Sequence, residues 1–493
     1  MFVQNTAPNG AAVYADNARL RIEDTVFIAN TAERTGGAIY ALASLLSIRN
    51  ASFISSTARG DYGGAVYLES GNLTSSMVRF EGNNATNKGG GVYANNSELW
   101  FTHAAFPNNA ATYGGAISAN YGNVTVTNVN FTGNWAGDDG GAAIGYWSNL
   151  TVTNVNFTGN RAGDDGGAAV GYWSNLTVTN VNFTGNRAEY GGAVAGFGSN
   201  LTVTNVTFSG NWAEYGGAAA GFGSNLTVTN VNFTGNVAEC GGAVVGSDSN
   251  LTVMNVTFTG NRAKHGGAIF AMGVTLTVAD SRFVSNAATF DGGAIITTHS
   301  MSSMGTPSLS SVVGSYFESN TADVQSGSLT RKEYIKEDPF QLWRRQRDWM
   351  ISSYGGGAVF IQNFRSFKIA DSAFKENRAY QGGANVISGQ TIATELNLSS
   401  CRFQANEGSA SGGAVYVNTG AALKLGQNKF QDNSANVGGA IYLVTGSNLS
   451  TSLPAERNLY FRNNSAVRGG AINCNSCGKA CKSTSRMTLF STQ

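Results

Sequence analysis

A repeat of about 25 residues constrains this chain more than any other feature. A phenylalanine followed three residues later by asparagine recurs along the sequence, and the pattern departs once, where Ser56 follows Phe53. A Gly-Gly-Ala motif, as at Gly166-Gly167-Ala168, comes eight to ten residues after almost every copy. Such a period predicts an array whose units bury their apolar faces against one another. The 17 phenylalanines are Phe2, Phe27, Phe53, Phe80, Phe106, Phe131, Phe157, Phe183, Phe208, Phe233, Phe258, Phe283, Phe317, Phe374, Phe403, Phe430 and Phe461.

The residues within one repeat alternate as they do in short β-strands. Leu150 and Val152 alternate with threonines, and the same alternation resumes from Val155 to Phe157 after a slip of one residue at Asn154. An alternation of period two predicts a strand with one buried face, and a slip predicts a corner between two strands. We expect a third strand after each Gly-Gly-Ala motif.

Three short strands per repeat predict an all-β fold, a right-handed parallel β-helix (β-solenoid) of about 17 coils with 25–27-residue repeats. The coils are expected to occupy residues 1–320 and 355–472, interrupted by a charged and aromatic insert at 321–354 that is partly helical. Residues 473–493 form a cysteine-containing tail where the array is cut. Structural roles are predicted for the columns represented by Phe157, Asn160, Phe183, Asn186, Gly166, Gly167, Asn154 and Asn180.

Two of these columns have specific physical roles. The glycine pairs supply positive φ at tight corners, where other residues are strained. Asparagines stacked at strand spacing, such as Asn154 and Asn180, form hydrogen-bonded amide ladders.

Composition excludes several classes of protein. The net charge is +1 and only 12 % of residues are charged, so nothing favours binding to nucleic acid or to an acidic membrane surface. The sequence contains no run of 18 apolar residues, so no transmembrane helix is predicted. The start of the chain lacks the pattern of a signal peptide, which we interpret as the mark of a fragment of an exported protein.

The paired Gly-Gly-Ala-(Ile/Val) and Phe-x-x-Asn motifs, as at Gly36-Gly37-Ala38-Ile39 and Phe27–Asn30, resemble the repeats of the chlamydial polymorphic outer-membrane protein family. The resemblance spans nearly the whole chain. It implies the β-helical passenger of an autotransporter, and with it an adhesin-like or structural role at the cell surface or outside the cell. The sequence lacks the C-terminal amphipathic strands of a membrane barrel, so the anchoring implied by the family is not supported.

An acidic column is the candidate metal site. It lies two residues ahead of the glycine pairs in five consecutive coils, and Asp139 and Asp165 add further carboxylates beside it. Stacked like charges favour a screening cation, and oxygen-rich acidic sites suit Ca²⁺, so calcium is the one cofactor we consider. Carboxylates that splay into solvent are the alternative. The column is Asp138, Asp164, Glu189, Glu214 and Glu239.

The expected function is non-enzymatic, with cell-surface glycans or proteins as partners. One alternative is a Ca²⁺-dependent polysaccharide lyase or glycoside hydrolase of β-helix type, which would use paired carboxylates. A second is an ice-binding solenoid, because outward threonines such as Thr151, Thr177 and Thr202 form a column. Outward threonine is also common in ordinary strands.

The remaining candidate sites are aromatic residues, sequons and cysteines. Tyr146, Tyr172, Phe197 and Phe222, with Trp147 and Trp173 beside them, are expected to pack on one another; the alternative is that the rings are exposed and stack on sugar rings. The insert offers a partner-binding site at Trp343, Arg344, Arg345 and Trp349, because tryptophan and arginine are favoured in interfaces. Nineteen Asn-x-Ser/Thr sequons, Asn149 and Asn175 among them, are compatible with partial glycosylation. Cys474, Cys477 and Cys481 are too few for a closed zinc site.

Overall fold

The computed structural model describes residues 1–298, 310–322, 355–389, 393–451 and 459–475. The chain divides into two compact units, Met1–Thr252 and Val253–Gln493. In both units every described element is a short β-strand, and the strands of successive coils pair in parallel. The all-β solenoid predicted from the repeat is therefore confirmed.

A coil contains up to four strands. The first strand precedes the slip at the asparagine, the second carries the repeated phenylalanine, the third precedes the glycine pair and the fourth follows it. In the first unit the first strands are Arg19–Glu23, Leu45–Ile54, Asn72–Glu81, Glu98–Thr102, Asn123–Thr127, Asn149–Thr153, Asn175–Thr179, Asn200–Thr204, Asn225–Thr229 and Asn250–Met254, two of which (Leu45–Ile54 and Asn72–Glu81) continue through the second. The separate second strands are Phe2–Val3, Val26–Ile28, Ala105–Pro107, Asn130–Thr132, Asn156–Thr158, Asn182–Thr184, Thr207–Ser209 and Asn232–Thr234.

The third and fourth strands complete the coils of the first unit. The third strands are Thr6–Asn9, Thr31–Thr35, Thr57–Ala58, Asn84–Ala85, Ala110–Ala111 and Trp135–Ala136, and isolated bridges such as Arg161 to Arg187 take this place in later coils. The fourth strands are Val13–Asp16, Ile39–Leu42, Val66–Glu69, Val92–Asn95, Ile117–Asn120, Ala143–Tyr146, Ala169–Tyr172, Val194–Phe197, Ala219–Phe222 and Val244–Ser247. The strand expected after Gly-Gly-Ala is thus present.

The second unit repeats this arrangement. Its first strands are Thr275–Ala279, Ser310–Val313, Phe367–Ala370, Thr394–Ser399, Ala421–Leu425 and Asn448–Thr451, and its second strands are Thr257–Thr259, Arg282–Val284, Tyr316–Glu318, Ala373–Lys375, Cys401–Gln404, Asn428–Gln431 and Leu459–Arg462. Its third strands are Arg262–His265, Ala287–Asp291, Thr321–Ala322, Arg378–Gln381, Glu407–Ser411 and Ser434–Val437. Its fourth strands are Ile269–Met272, Ile295–Thr298, Val359–Gln362, Asn385–Ser388, Val415–Val417, Ile441–Leu443 and Ile472–Cys474.

The inward columns are those that the alternation predicts. Leu150, Val152, Val155 and Phe157 are buried, whereas the threonines between them face outward. The slip has a backbone cause, because Asn154 adopts a left-handed conformation with φ +55°. Asparagine tolerates this region better than most residues, which explains its recurrence at this corner. The expected surface ladder also forms, since Asn180 Nδ2 donates to Asn154 Oδ1 at 3.2 Å.

The two glycines of each pair have different roles. Gly166 has φ +60°, as predicted for a tight corner. Gly167 does not share this conformation, so the expectation that both glycines supply positive φ is wrong for the second one. A Cβ atom built on Gly167 would lie 2.1 Å from the carbonyl oxygen of Gly192 in the next coil. The second glycine is therefore required because two backbones approach closely.

The repeated phenylalanine and asparagine form two buried columns in each unit. Phe157 and Phe183 stack with ring centroids 4.9 Å apart and an interplanar angle of 6°. Asn160 Nδ2 donates to Asn186 Oδ1 at 3.0 Å and to the Phe131 carbonyl at 3.1 Å, and the Asn160 N–H donates to the same Asn186 Oδ1. Asn160 Oδ1 in turn accepts from the N–H and Nδ2 of Asn134, so this buried ladder amide is fully hydrogen-bonded, as burial of a polar group requires.

The insert interrupts the sequence of the second unit without displacing its columns. Phe317 stacks on Phe374 at 4.8 Å, and Asn320 Nδ2 donates to Asn377 Oδ1 at 3.0 Å, although 57 residues separate the two asparagines. The residues proposed for partner binding, Trp343, Arg344, Arg345 and Trp349, lie outside the described residues. So do Cys477 and Cys481, whereas Cys474 is disulfide-bonded. Within the described ranges, no helix has the length and apolar content to cross a membrane.

Replacing Ser56 by asparagine should stabilise the first unit. Ser56 Oγ is buried and, within the described structure, has no hydrogen-bond partner, at the position where the other coils place the ladder asparagine. The introduced amide would join those of Asn30 and Asn83, raising the free energy of unfolding by about 1–2 kcal/mol in urea titrations. Ser52→Asn, in the outward column that contains Asn156, is the control and should change stability by less than about 0.5 kcal/mol. Equal stability of Ser56→Asn and the parent protein would contradict the role given to the ladder.

Gly185, a corner glycine with φ +62° outside the Gly-Gly pairs, and the second pair glycine, Gly167, should respond differently to alanine. Gly185→Ala places a methyl group in open space at φ +62° and should cost about 1 kcal/mol. Gly167→Ala forces the backbones of adjacent coils apart and should cost at least about 2 kcal/mol. Chemical denaturation of both variants measures the difference in the free energy of unfolding. A larger loss of stability for Gly185→Ala than for Gly167→Ala would contradict the role given to Gly167.

Candidate functional site

The predicted acidic column is in backbone register from coil to coil. The N–H of Asp164 donates to the carbonyl of Asp138 at 2.9 Å, and Glu189, Glu214 and Glu239 each donate in the same way to the preceding member. The two aspartates are exposed and the three glutamates are half-buried. Cation binding by this whole column stays a prediction.

A second acidic pair lies deeper, immediately before the glycine pairs. Asp139 and Asp165 retain only 8 % and 7 % exposure. The Asp165 N–H donates to Asp139 Oδ1 at 3.3 Å, which sets the two carboxylates one above the other. The Tyr172 hydroxyl donates to Asp165 Oδ2, and the Tyr146 hydroxyl lies 3.5 Å from Asp139 Oδ2. Both tyrosines come from the fourth strands that follow these corners.

This corner brings three carboxylates together. One oxygen from each of Asp139, Asp164 and Asp165 lies within 4.8 Å of the others, the one such metal-ligating group found among the described residues. Asp165 Oδ1 is buried and accepts no hydrogen bond there. A buried carboxylate oxygen without a donor is costly, so the corner has an unsatisfied demand for positive charge or for a proton.

A lysine from an earlier coil lies next to the corner. Lys88 Nζ lies 4.6 Å from the centroid of the Tyr146 ring and 5.8 Å from that of Tyr113. Burial lowers the pKa of Lys88, and the charge of Asp139 opposes this effect. We name Asp139, Asp164, Asp165, Tyr146, Tyr172 and Lys88 the acidic corner.

The two buried aspartates of the acidic corner, Asp139 and Asp165, resist ionisation. Burial raises the pKa of Asp165 well above its ordinary value, and the charges of Asp139 and Asp164 add to the effect. Burial is also the main cause of the raised pKa of Asp139, which hydrogen bonds from Tyr172, the Asp165 N–H and Tyr146 partly offset. Desolvation penalises the charged form of a carboxyl group in both cases.

The repeat itself indicates that Asp139 and Asp165 are buried, although their charge alone does not. The position immediately before the glycine pair faces inward in neighbouring coils too, where Tyr190 and Tyr215 stack at 5.0 Å. The second unit places another ionisable pair in this column, with His265 Nδ1 lying 3.2 Å from Asp291 Oδ2. Periodicity relative to the first glycine, rather than charge alone, would have found these residues.

Two aromatic columns run beside the acidic corner. Tyr146, Tyr172, Phe197 and Phe222 are half-buried and stack at 5.0–5.2 Å, which confirms the predicted packing. The residues immediately after the tyrosines point outward instead. We name Tyr121, Trp147 and Trp173 the aromatic ladder; their rings are stacked at 5.2 and 4.9 Å and they are 57 %, 51 % and 58 % exposed.

The aromatic ladder ends at a gap in its own column. Gly198 and Gly223 occupy the next two positions, and a Cβ atom on Gly223 would meet nothing within 4 Å. A Cβ atom on Gly198 would lie 3.0 Å from Trp173 Cδ1, so the indole borders this gap. The exposed amides of Asn175 and Asn200 lie two residues further along each coil and are joined by a 3.0 Å hydrogen bond.

The outward threonines form the expected column as well. Thr151, Thr177 and Thr202 are exposed and in register across three first strands. This column is regular, but it borders Asn149 and Asn175, where the Asn175 N–H donates to Asn149 Oδ1 at 3.2 Å.

Two known protein families have repeats that match parts of this chain. Residues 39–208 and 148–322 match the model of the right-handed beta helix region, and together they span more than half of the chain. The chain therefore belongs to the right-handed β-helix family. Residues 24–42 and 458–475 match the Chlamydia polymorphic membrane protein repeat, which confirms the resemblance seen in the motifs and suggests association with an outer membrane or cell surface. No curated protein matches the chain.

Replacing Asp165 by asparagine should stabilise the first unit at neutral pH in the presence of a chelator. Because the folded pKa of Asp165 is raised, its contribution to stability is complete below the unfolded pKa, near 4, and is lost as the pH rises through the folded value. The neutral amide of the variant removes this loss and still accepts the Tyr172 hydroxyl. Tyr146, Asp139, Asp164, Glu189 and Lys88 are the other titratable groups around it.

Thermal denaturation at pH 4 and pH 7 tests this expectation. The variant and the parent protein should have similar midpoints at pH 4, and the variant should have the higher midpoint at pH 7. A variant that is less stable than the parent at pH 7 would show that the Asp165 carboxylate is stabilising in its charged form.

Proposed function

We propose that the protein is displayed at the cell surface or secreted, and that it acts there as a non-enzymatic, adhesin-like protein that binds carbohydrate. The exposed aromatic ladder of Tyr121, Trp147 and Trp173 carries the proposal. The polymorphic membrane protein repeats support the surface location. The β-helix supplies a rigid support on which side chains recur at the strand spacing.

Carbohydrate suits the chemistry of this surface. Binding sites for small molecules combine apolar or aromatic faces with a few polar groups that fix orientation. The Trp173 indole borders the gap at Gly198 and Gly223 and presents an aromatic face to a sugar ring. The amides of Asn175 and Asn200 offer donors and acceptors for hydroxyl groups at the edge of that ring.

Repetition would strengthen weak individual contacts. Neighbouring coils present equivalent outward side chains, such as Asn175 and Asn200, at a constant interval. A polysaccharide chain can therefore engage several of them at once. The effective concentration of each further contact is then high, and avidity exceeds the affinity of a single contact.

Trp173→Ala should weaken glycan binding by at least tenfold. A glycan array selects the ligand, and titration calorimetry compares the variants, using protein made in a host that adds no N-linked glycans to Asn175 or Asn200. Trp212→Ala is the matched control, because Trp212 is exposed in another column, where Arg187 lies 4.1 Å from its ring centroid. It should bind within twofold of the parent protein.

Two results would overturn this proposal. One is an array without selective glycan binding, and the other is equal weakening by Trp173→Ala and Trp212→Ala. The non-enzymatic part is tested by incubating the bound polysaccharide with the protein. New reducing ends or unsaturated products, absent with Asp165→Asn, would instead support the lyase or hydrolase alternative.

A further inference from the structure

We propose that the acidic corner is a binding site for one divalent cation of the calcium type, held by Asp139, Asp164 and Asp165. The site shares Asp164 with the acidic column, but its other two ligands, Asp139 and Asp165, are buried and lie immediately before the glycine pairs. It is also separate from the carbohydrate contacts proposed above, because its ligands precede the glycine pairs, whereas the aromatic ladder, Asn175 and Asn200 follow the fourth strands.

The positions of the three carboxylates support binding of a single ion. Carboxylate oxygens of the three aspartates already lie within 4.8 Å of one another, a separation that a single ion bridges with bonds of roughly 2.4 Å. Asp165 Oδ1 is buried and has no hydrogen-bond partner within the described residues, so this carboxylate keeps one oxygen available to a cation. The exposed Asp164 leaves a route for the ion from solvent.

The charges of the acidic corner also support binding of a cation. The carboxylates of Asp139, Asp164 and Asp165 lie close together, so their negative charges repel, and a divalent cation bound among them would relieve that repulsion.

The ligand type selects the ion. Carboxylate oxygens favour hard cations over those that prefer thiolate or imidazole ligands. Mg²⁺ keeps several of its waters and demands near-ideal octahedral geometry, which suits a narrow buried corner poorly. Ca²⁺ accepts irregular coordination and more protein oxygens, so Ca²⁺ is the expected occupant.

The test uses terbium luminescence on the full chain. Tb³⁺ substitutes for Ca²⁺ as a hard cation, and Tyr172 and Tyr146 are close enough to sensitise its emission on excitation of tyrosine. We expect saturable emission that excess Ca²⁺ and chelator remove. We also expect Ca²⁺ to raise the thermal midpoint of the parent protein at pH 7.

Two variants make the test specific. Asp165→Asn should weaken Tb³⁺ and Ca²⁺ binding at least tenfold and abolish the Ca²⁺-dependent midpoint shift. Glu214→Gln, which changes the exposed acidic column two coils away, should bind within twofold of the parent protein. Circular dichroism verifies that both variants are folded, and Asp164→Asn offers a second, exposed substitution that should also weaken binding.

The opposite outcomes overturn the proposal. Absence of Tb³⁺ emission and of a Ca²⁺-dependent shift would show that the corner holds a proton instead of a cation. Binding that Asp165→Asn leaves intact but Glu214→Gln removes would assign the ion to the exposed acidic column. Glycan binding measured in chelator decides the proposed function separately, because it does not require the cation site.

Discussion

The interaction on which the rest of the structure depends is the buried amide ladder between successive coils. Each internal asparagine of the run from Asn109 to Asn211 accepts two hydrogen bonds on its oxygen and donates two from its nitrogen, so burial leaves no polar atom of the amide unsatisfied. The ladder fixes the register of the coils, and all other columns inherit that register. Phenylalanine rings then stack on phenylalanine rings, which is favourable, whereas carboxylates stack on carboxylates, which is not.

The register that all columns share explains why the stacked aspartates of the acidic corner are unfavourable, unlike the stacked apolar residues. A column of identical apolar residues stabilises the fold in every coil, but two aspartates placed one above the other at Asp139 and Asp165 repel each other in a poorly solvated place. The neighbouring coils relieve this by placing Tyr190 and Tyr215 in the same column. The acidic pair is thus a departure from the repeat, and departures from a repeat are where function concentrates.

Much of the fold was predictable because the repeat exposes its columns to inspection. The buried faces of Leu150, Val152 and Phe157 follow from alternation, and the corner at Asn154 follows from the slip. The role of Gly167 was not predictable, because it depends on the distance to a backbone in the next coil. The depth of Asp165 was missed for a related reason: Asp164 and Asp165 are adjacent and equally acidic, and only the direction of each side chain separates them. The outward direction of Trp173, next to the half-buried Tyr172, depends on the same local geometry.

The insert in the second unit has a consequence for how such a protein can change. Asn320 and Asn377 are 57 residues apart, yet Asn320 bonds to Asn377 as neighbouring ladder asparagines do in coils that are continuous in sequence. Because these two asparagines bond directly, the number of residues between them does not alter the hydrogen bonds that set the register. The register of the described coils therefore does not depend on the length of sequence between Ala322 and Gly355, and we expect segments of other lengths to be exchanged there while the surfaces of the neighbouring coils stay unchanged.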